Sequence, residues 1–134
     1  MRLWHEKLIP YLPRQQLLGQ HRECCALRGA GWGKPHATVN YVFEHPKTWL
    51  YVYHMKVMEE MFKRGYHADP TWFLPYHQGK NLPSMEPIPN GNEKWLNKFF
   101  EIVYPEHNEE YLHECLENLL GKGVQIDYIQ EEQK

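Results

Sequence analysis

The sequence predicts an all-α fold: a compact single domain over residues 1–134, with about three to four helices and long ordered loops. Three observations carry that expectation. Apolar residues recur at helical spacing in separate stretches. Proline, glycine and polar capping residues stand at the ends of those stretches. Alternation of the kind a strand needs is confined to one short run near the C-terminus.

The first helix begins at Pro13, a residue suited to a first helical turn, and ends at Gly29. Leu17, Leu18, Cys24, Cys25 and Leu27 give it an apolar side that also carries His21. "GAGWGKP" (29–35) is a breaker-rich loop, and "HATVNYVFEH" (36–45) is ambiguous between a short helix and an extended piece. A second helix spans about 47–64, with Leu50, Tyr53, Val57 and Met61 in register. Lys63 and Arg64 fill its last turn and Gly65 follows. Residues 66–91, rich in proline, glycine and aromatics, read as a long ordered loop. Asn92 is placed to cap a third helix reaching about Tyr104. A fourth spans about 108–120, with Leu112, Cys115, Leu116 and Leu119 on one face and Gly121 after it. "VQIDYIQ" (124–130) alternates like a short strand that has no obvious partner.

The 134 residues suit one domain with a real core. A hydrophobic content of 42 % and an aromatic content of 14 % argue against disorder. No apolar run approaches the roughly 20 residues of a membrane helix, so no membrane partner is expected. The charged start "MRLWHEKL" does not read as a secretory signal. Cysteines number three, with Cys24 and Cys25 adjacent. The expectation is a reduced, cytoplasmic protein and a monomer. Net charge is −2, but it is unevenly spread. Residues 1–66 hold ten Lys/Arg against five Asp/Glu, and residues 67–134 hold five against twelve. A polyanion would meet the first half.

Arg22 and Glu23 stand out in the first helix. Residues three and four positions away are neighbours on a helix. For Arg22 these include no acid, and for Glu23 no base. Neither charge has a local ion pair. Gly19 is a second oddity, because glycine inside a helix costs about 1 kcal/mol relative to alanine. Gly19 and Ala26 both lie beside Glu23, which leaves the carboxylate on a surface stripped of bulk. That surface is either a floor for a ligand or a site where another helix packs at Gly19.

"LIPYLPRQQLLGQHRECCALRG" resembles the first long helix of the pyrimidine-dimer DNA glycosylases of the phage endonuclease V type, with Arg22-Glu23 matching the family's Arg-Glu pair. "MRL" resembles the family's N-terminus, and "KVMEEMFKRGYH" (56–67) the end of its second helix. The resemblance covers roughly the first half of the chain. It implies a compact all-α fold and a bifunctional enzyme acting on damaged double-stranded DNA. Such an enzyme cuts a damaged base's glycosidic bond and then nicks the strand at the abasic site, with neither metal nor organic cofactor. The implied nucleophile is the N-terminal α-amine, here that of Met1. It forms a Schiff base at sugar C1′ while Glu23 stabilises the sugar cation and assists proton transfers. Arg2 then matches the family's basic second residue, a phosphate contact, and Arg22 suits a phosphate or a flipped nucleotide's surroundings.

The chemistry suits these residues. An α-amine, with a pKa of about 7.7–8.0, is roughly a tenth neutral at pH 7, far more than a lysine. A positioned carboxylate stabilises the oxocarbenium-like C1′ and can move protons. Arg14, Arg28 and Lys34 are further candidate DNA contacts in the positive half. Trp4, Trp32 and Tyr41 are candidates for stacking on bases, with core packing the first role expected of each.

The chain also departs from the family pattern. Ala26 stands where the family has a further basic residue, and Gln16 where it has a histidine. The tail "IDYIQEEQK" is acidic, not aromatic and basic. These changes open a second reading, a non-catalytic nucleic-acid-binding or interaction module on the same fold. Glu109, His113 and Glu117, spaced i, i+4, i+8, share a face of the fourth helix and read either as metal ligands or as a solvated face, while no HxH or HExxH spacing supports a ligand set of His5, His21 and His36. Cys24 and Cys25 lie on the apolar side, where thiols are structural.

Overall fold

Helix α2 (Lys47–Lys63) is the axis of the molecule, and its sequence dictates this. Leu50, Tyr51, Val52, Tyr53 and His54 are all buried. Five successive residues at 100° steps cover every side of a helix, so α2 is surrounded over its first half. The computed structural model describes residues 2–29, 39–74, 77 and 98–126. Among them α1 (Arg14–Arg28), α2 and α3 (Glu109–Gly121) are the α-helices, with short 3-10 helices at Glu6–Tyr11, Asn40–Glu44 and Pro70–Phe73. The described residues contain no strand, as an all-α chain requires.

The N-terminal segment is core rather than tail. Leu3, Leu8, Ile9 and Leu12 are buried together with Leu17, Leu27, Val57 and Met61. α1 packs along α2, and the Glu6–Tyr11 helix packs on α2 as well. α3 adds Leu112, Cys115 and Leu119 to the same core.

Helix ends follow local chemistry. Pro13 stands just outside α1, where its carbonyl accepts the Leu17 N–H at 2.9 Å, one residue earlier than expected. α2 closes with the Tyr66 N–H on the Met61 carbonyl (2.9 Å) and the Gly65 N–H on that of Phe62 (3.0 Å). Gly65 takes the positive φ of 82° that this closure needs. The Asn108 side chain caps α3 by accepting the Tyr111 N–H. Gly121 does not stop α3, because it is the last helical residue. Gly123, at φ +80°, carries the turn instead.

The expected helix from Asn92 to Tyr104 is corrected over its described part. Residues 98–100 form one 3-10 turn, after which the chain leaves helical geometry. The N–H groups of Val103 (2.9 Å) and Tyr104 (3.0 Å) donate to the buried Glu6 carboxylate. That long-range acceptor competes with the helix's own carbonyls. The ambiguous 36–45 stretch resolves to a 3-10 helix at Asn40–Glu44. The described start of the tail, 124–126, is irregular. Residues 92–97 of the expected helix, 127–130 of the expected strand and much of the 66–91 loop lie outside the described residues.

Candidate active site

The site is built on one stripe of α1. Gln16, Gly19, Gln20 and Glu23 fall three or four residues apart, so they share a face. Across from this stripe runs the N-terminal segment, and below it the end of α3. Together they enclose a cavity of about 460 Å³ lined by Arg2, Trp4, Gln15, Gln16, Gly19, Gln20, Arg22, Glu23, Asn118 and Lys122. Arg2, Arg22 and Glu23, singled out from sequence, therefore meet in one place. A larger depression of about 540 Å³ over α3 is lined by Glu110, Glu114 and Glu117, the wrong charge for a polyanion.

Glu23 has one carboxylate oxygen, Oε2, that is buried and has no hydrogen-bond partner among the described residues. Such an acceptor costs about 1–3 kcal/mol. Arg22 is exposed, and none of the ion pairs among the described residues involves it. Arg2 is half-buried, with its guanidinium 3.7 Å from the Glu114 carboxylate and 5.7 Å over the Tyr111 ring. Gly19 faces the cavity and not another helix. Among the described residues, a methyl group there would meet only Arg22 Nη2, at an ordinary 3.7 Å. The packing alternative for Gly19 is therefore set aside.

Gln20 fastens the N-terminal segment to this stripe. Its Nε2 donates to the Arg2 carbonyl at 2.9 Å, and its Oε1 accepts the Trp4 N–H at 2.6 Å. The Tyr53 hydroxyl from α2 lies 2.6 Å from the Trp4 carbonyl and 3.0 Å from Gln20 Oε1. Sequence reasoning passed over Gln20, although a signal was available. It is a polar residue in register with Leu17, Cys24 and Leu27, the buried face of α1. Asn118 and Lys122 come from the acidic half, 95 or more positions along the chain from Glu23, and no local signal announces them.

A sequence model of the pyrimidine dimer DNA glycosylase family matches residues 1–74 of this chain. The chain belongs to the pyrimidine dimer DNA glycosylase family. No curated protein and no solved structure matches it. The matched region contains Arg2, Gln20, Arg22 and Glu23 of the cavity but not Lys122. The match to the DNA-repair glycosylase family thus spans the stripe on α1, and α3, outside the matched residues, completes the wall.

Not every candidate of this glycosylase lands at the cavity. Arg28 is a correction. It is 6 % exposed, and its guanidinium donates to the carbonyls of Trp72 (2.8 Å), Leu74 (2.9 Å) and His77 (3.1 Å). Its carbon lies 5.2 Å over Tyr51 and 4.9 Å over Trp72. Burial lowers its pKa to about 10. These donors are committed internally, so Arg28 holds Trp72, Leu74 and His77 and does not present its guanidinium to solvent. Arg14 is exposed at the start of α1, its guanidinium 5.5 Å over Tyr66, and does not line the cavity. Trp4 does line the cavity but is only 6 % exposed, under Arg2 and Lys122, and the Tyr41 hydroxyl bonds His107 Nε2 at 2.7 Å. Both are packing residues. Met1, Trp32, Lys34 and His36 lie outside the described residues.

The glycosylase also carries a His21–Cys25–His54 cluster on the other side of α1. Arg28 Nη1 lies 2.9 Å from His54 Nδ1. A guanidinium can only donate, so Nδ1 is the bare nitrogen and His54 Nε2 carries the proton. It donates to His21 Nδ1 at 2.8 Å. A metal on His54 Nε2 would need that proton on Nδ1, against the Arg28 donor. The donor set fits a fixed hydrogen-bond chain and not a cation site. Burial pushes the Cys25 thiol up to about 11, away from nucleophilic reactivity. The His5 ring lies tilted against His107 with centroids 5.3 Å apart, whereas the His21 ring lies 4.9 Å from that of His54. Of the α3 residues weighed for a metal, Glu109 is exposed and lies 3.9 Å from Lys7 Nζ.

Proposed function

We propose that this family member is a bifunctional DNA glycosylase/AP lyase whose N-terminal α-amine is the nucleophile and whose Glu23 is the assisting carboxylate. The observation that carries the reading is the unpartnered, buried Oε2 of Glu23, a residue that lines one cavity together with Arg2, Arg22 and Lys122. Unsatisfied buried groups are rare in folded proteins and collect where chemistry needs them. The neutral amine attacks C1′ of the damaged nucleotide as the C1′–base bond breaks, and the base leaves with a proton. Glu23 stabilises the positive charge that develops on the sugar. Loss of the amine proton, with the C1′–O4′ bond breaking and the freed ring oxygen O4′ taking up a proton, gives the ring-opened imine at C1′. Removal of a C2′ proton then expels the 3′ phosphate and nicks the strand, with Glu23 placed to pass the proton. Arg2, Arg22 and Lys122 supply phosphate contacts. The substrate is a duplex carrying a pyrimidine dimer or an abasic site, with the reacting nucleotide drawn out of the stack.

Arg2 is too large a second residue for ordinary methionine removal, so Met1 keeps its own amine in this proposal. The test is borohydride trapping on abasic-site duplex DNA in EDTA, with intact-mass confirmation of the N-terminus. A covalent adduct that maps to the Met1 amine and is lost in Glu23→Gln is the expected result. No adduct, from protein with a confirmed native N-terminus, would overturn the enzyme reading in favour of a binding module.

A further inference from the structure

We infer that Gln20 is a positioning residue that sets where the first residues of the chain lie against Glu23, an inference that rests on the amine-nucleophile reading above. Gln20 is 1 % exposed, so its amide must be satisfied internally. It is, at both ends. Nε2 donates to the carbonyl of Arg2 and Oε1 accepts the N–H of Trp4. In an extended chain these two groups flank residue 3 on the same side of the backbone. The Gln20 amide therefore supplies the donor and the acceptor that one residue of a neighbouring strand would supply through its N–H and C=O. A slip of one residue would break both bonds.

Burial of Leu3 alone does not fix this register, because apolar contact is non-directional. The hydrogen bonds do. They come from a residue one helical turn before Glu23, on the same face of α1. The carboxylate and the pinned segment are thus referenced to the same turn of helix. Residue 1 lies one peptide unit, about 3.8 Å between Cα atoms, from the residue whose carbonyl is held. Misplacement of a reacting group by about 1 Å can cost on the order of 100-fold in rate.

The measurement is single-turnover borohydride trapping on abasic duplex, read beside DNA affinity, for Gln20→Met and Gln20→Glu. Gln20→Met keeps the volume and loses both bonds. Its trapping rate is expected to fall by about 10- to 100-fold, with DNA affinity within about twofold of wild type. In Gln20→Glu the ionised carboxylate keeps the Trp4 bond and loses the donor to Arg2. Protonation returns a donor, so its rate relative to wild type should rise as pH falls from 8 toward 5, a response that general structural damage would not give. If Gln20→Met does not fold, Tyr53→Phe removes only the supporting hydroxyl, and a loss of about threefold is expected. Wild-type rates in the folded variants, or rate and affinity falling together, would overturn the inference and leave the enzyme reading intact. No adduct from the wild type would defeat the enzyme reading itself, and the positioning role with it.

Discussion

Glu6 and Lys56 form an ion pair at 2.7 Å in which the carboxylate is almost wholly buried. The same carboxylate accepts the N–H groups of Val103 and Tyr104. One side chain near the N-terminus thereby ties α2 to a segment almost a hundred positions along the chain. Removing it leaves the part-buried Lys56 ammonium on the Glu101 carbonyl and strands two buried backbone donors. Glu6→Ala should cost about 3–5 kcal/mol, read from urea unfolding. A loss below about 1 kcal/mol would show that water replaces the carboxylate at little cost.

Histidine burial gives the fold an acid sensitivity. Burial, followed by the charge of Lys7, lowers His5 to about 4, and burial with His5 and Lys56 nearby lowers His107 to about 2. His21 and His54 are lowered mainly by burial and then by neighbouring charge, including Arg28. With an unfolded value near 6.5, the unfolded chain binds the extra protons below that pH. Stability is therefore fully present above about pH 6.5 and falls as pH drops, by up to about 1.4 kcal/mol per pH unit for each such histidine. The decline continues toward pH 4 for His5 and pH 2 for His107. Unfolding free energy measured at pH 7 and pH 5 should differ by several kcal/mol, and a flat profile would contradict neutral burial.

Gly19→Ala separates helix stability from ligand access. Alanine in a helix interior gains about 0.5–1 kcal/mol over glycine, and among the described residues the added methyl meets only Arg22 Nη2 at 3.7 Å. The melting temperature should rise. The methyl also projects into the cavity, so affinity for abasic duplex should fall. Unchanged affinity would mean that DNA does not approach this stretch of α1.

Arg22 and Arg28, six residues apart, should behave oppositely. Arg22→Ala removes an exposed cation. It should leave stability within about 0.5 kcal/mol and reduce the slope of log affinity against log salt by about 1. Arg28→Ala leaves the carbonyls of Trp72, Leu74 and His77 without their donor. It should destabilise by about 3 kcal/mol or more and leave the salt slope alone. Lysine at position 28 would not rescue it, since an ammonium cannot reproduce the planar fork. A salt slope that drops in Arg28→Ala would restore that residue to the DNA interface.

The sequence by itself determined the helices that local chemistry controls. Spacing of Leu50, Tyr53, Val57 and Met61, with Gly65 as a stop, gave α2 to within a residue. The missing local partners of Arg22 and Glu23 pointed to residues that line one cavity, because i, i+3 and i+4 neighbours are a local property. Tertiary structure decided what depends on distant groups. The helix expected up to Tyr104 gave way because the Glu6 carboxylate takes its backbone donors. Arg28 left the surface because the carbonyls of Trp72, Leu74 and His77 take its donors. Lys122 joined the cavity from the acidic half because α3 ends there, although summed charge placed cations elsewhere. Hydrogen bonds and cavities form between surfaces, and the pairing of surfaces is set by burial of the whole core, which no window of sequence contains.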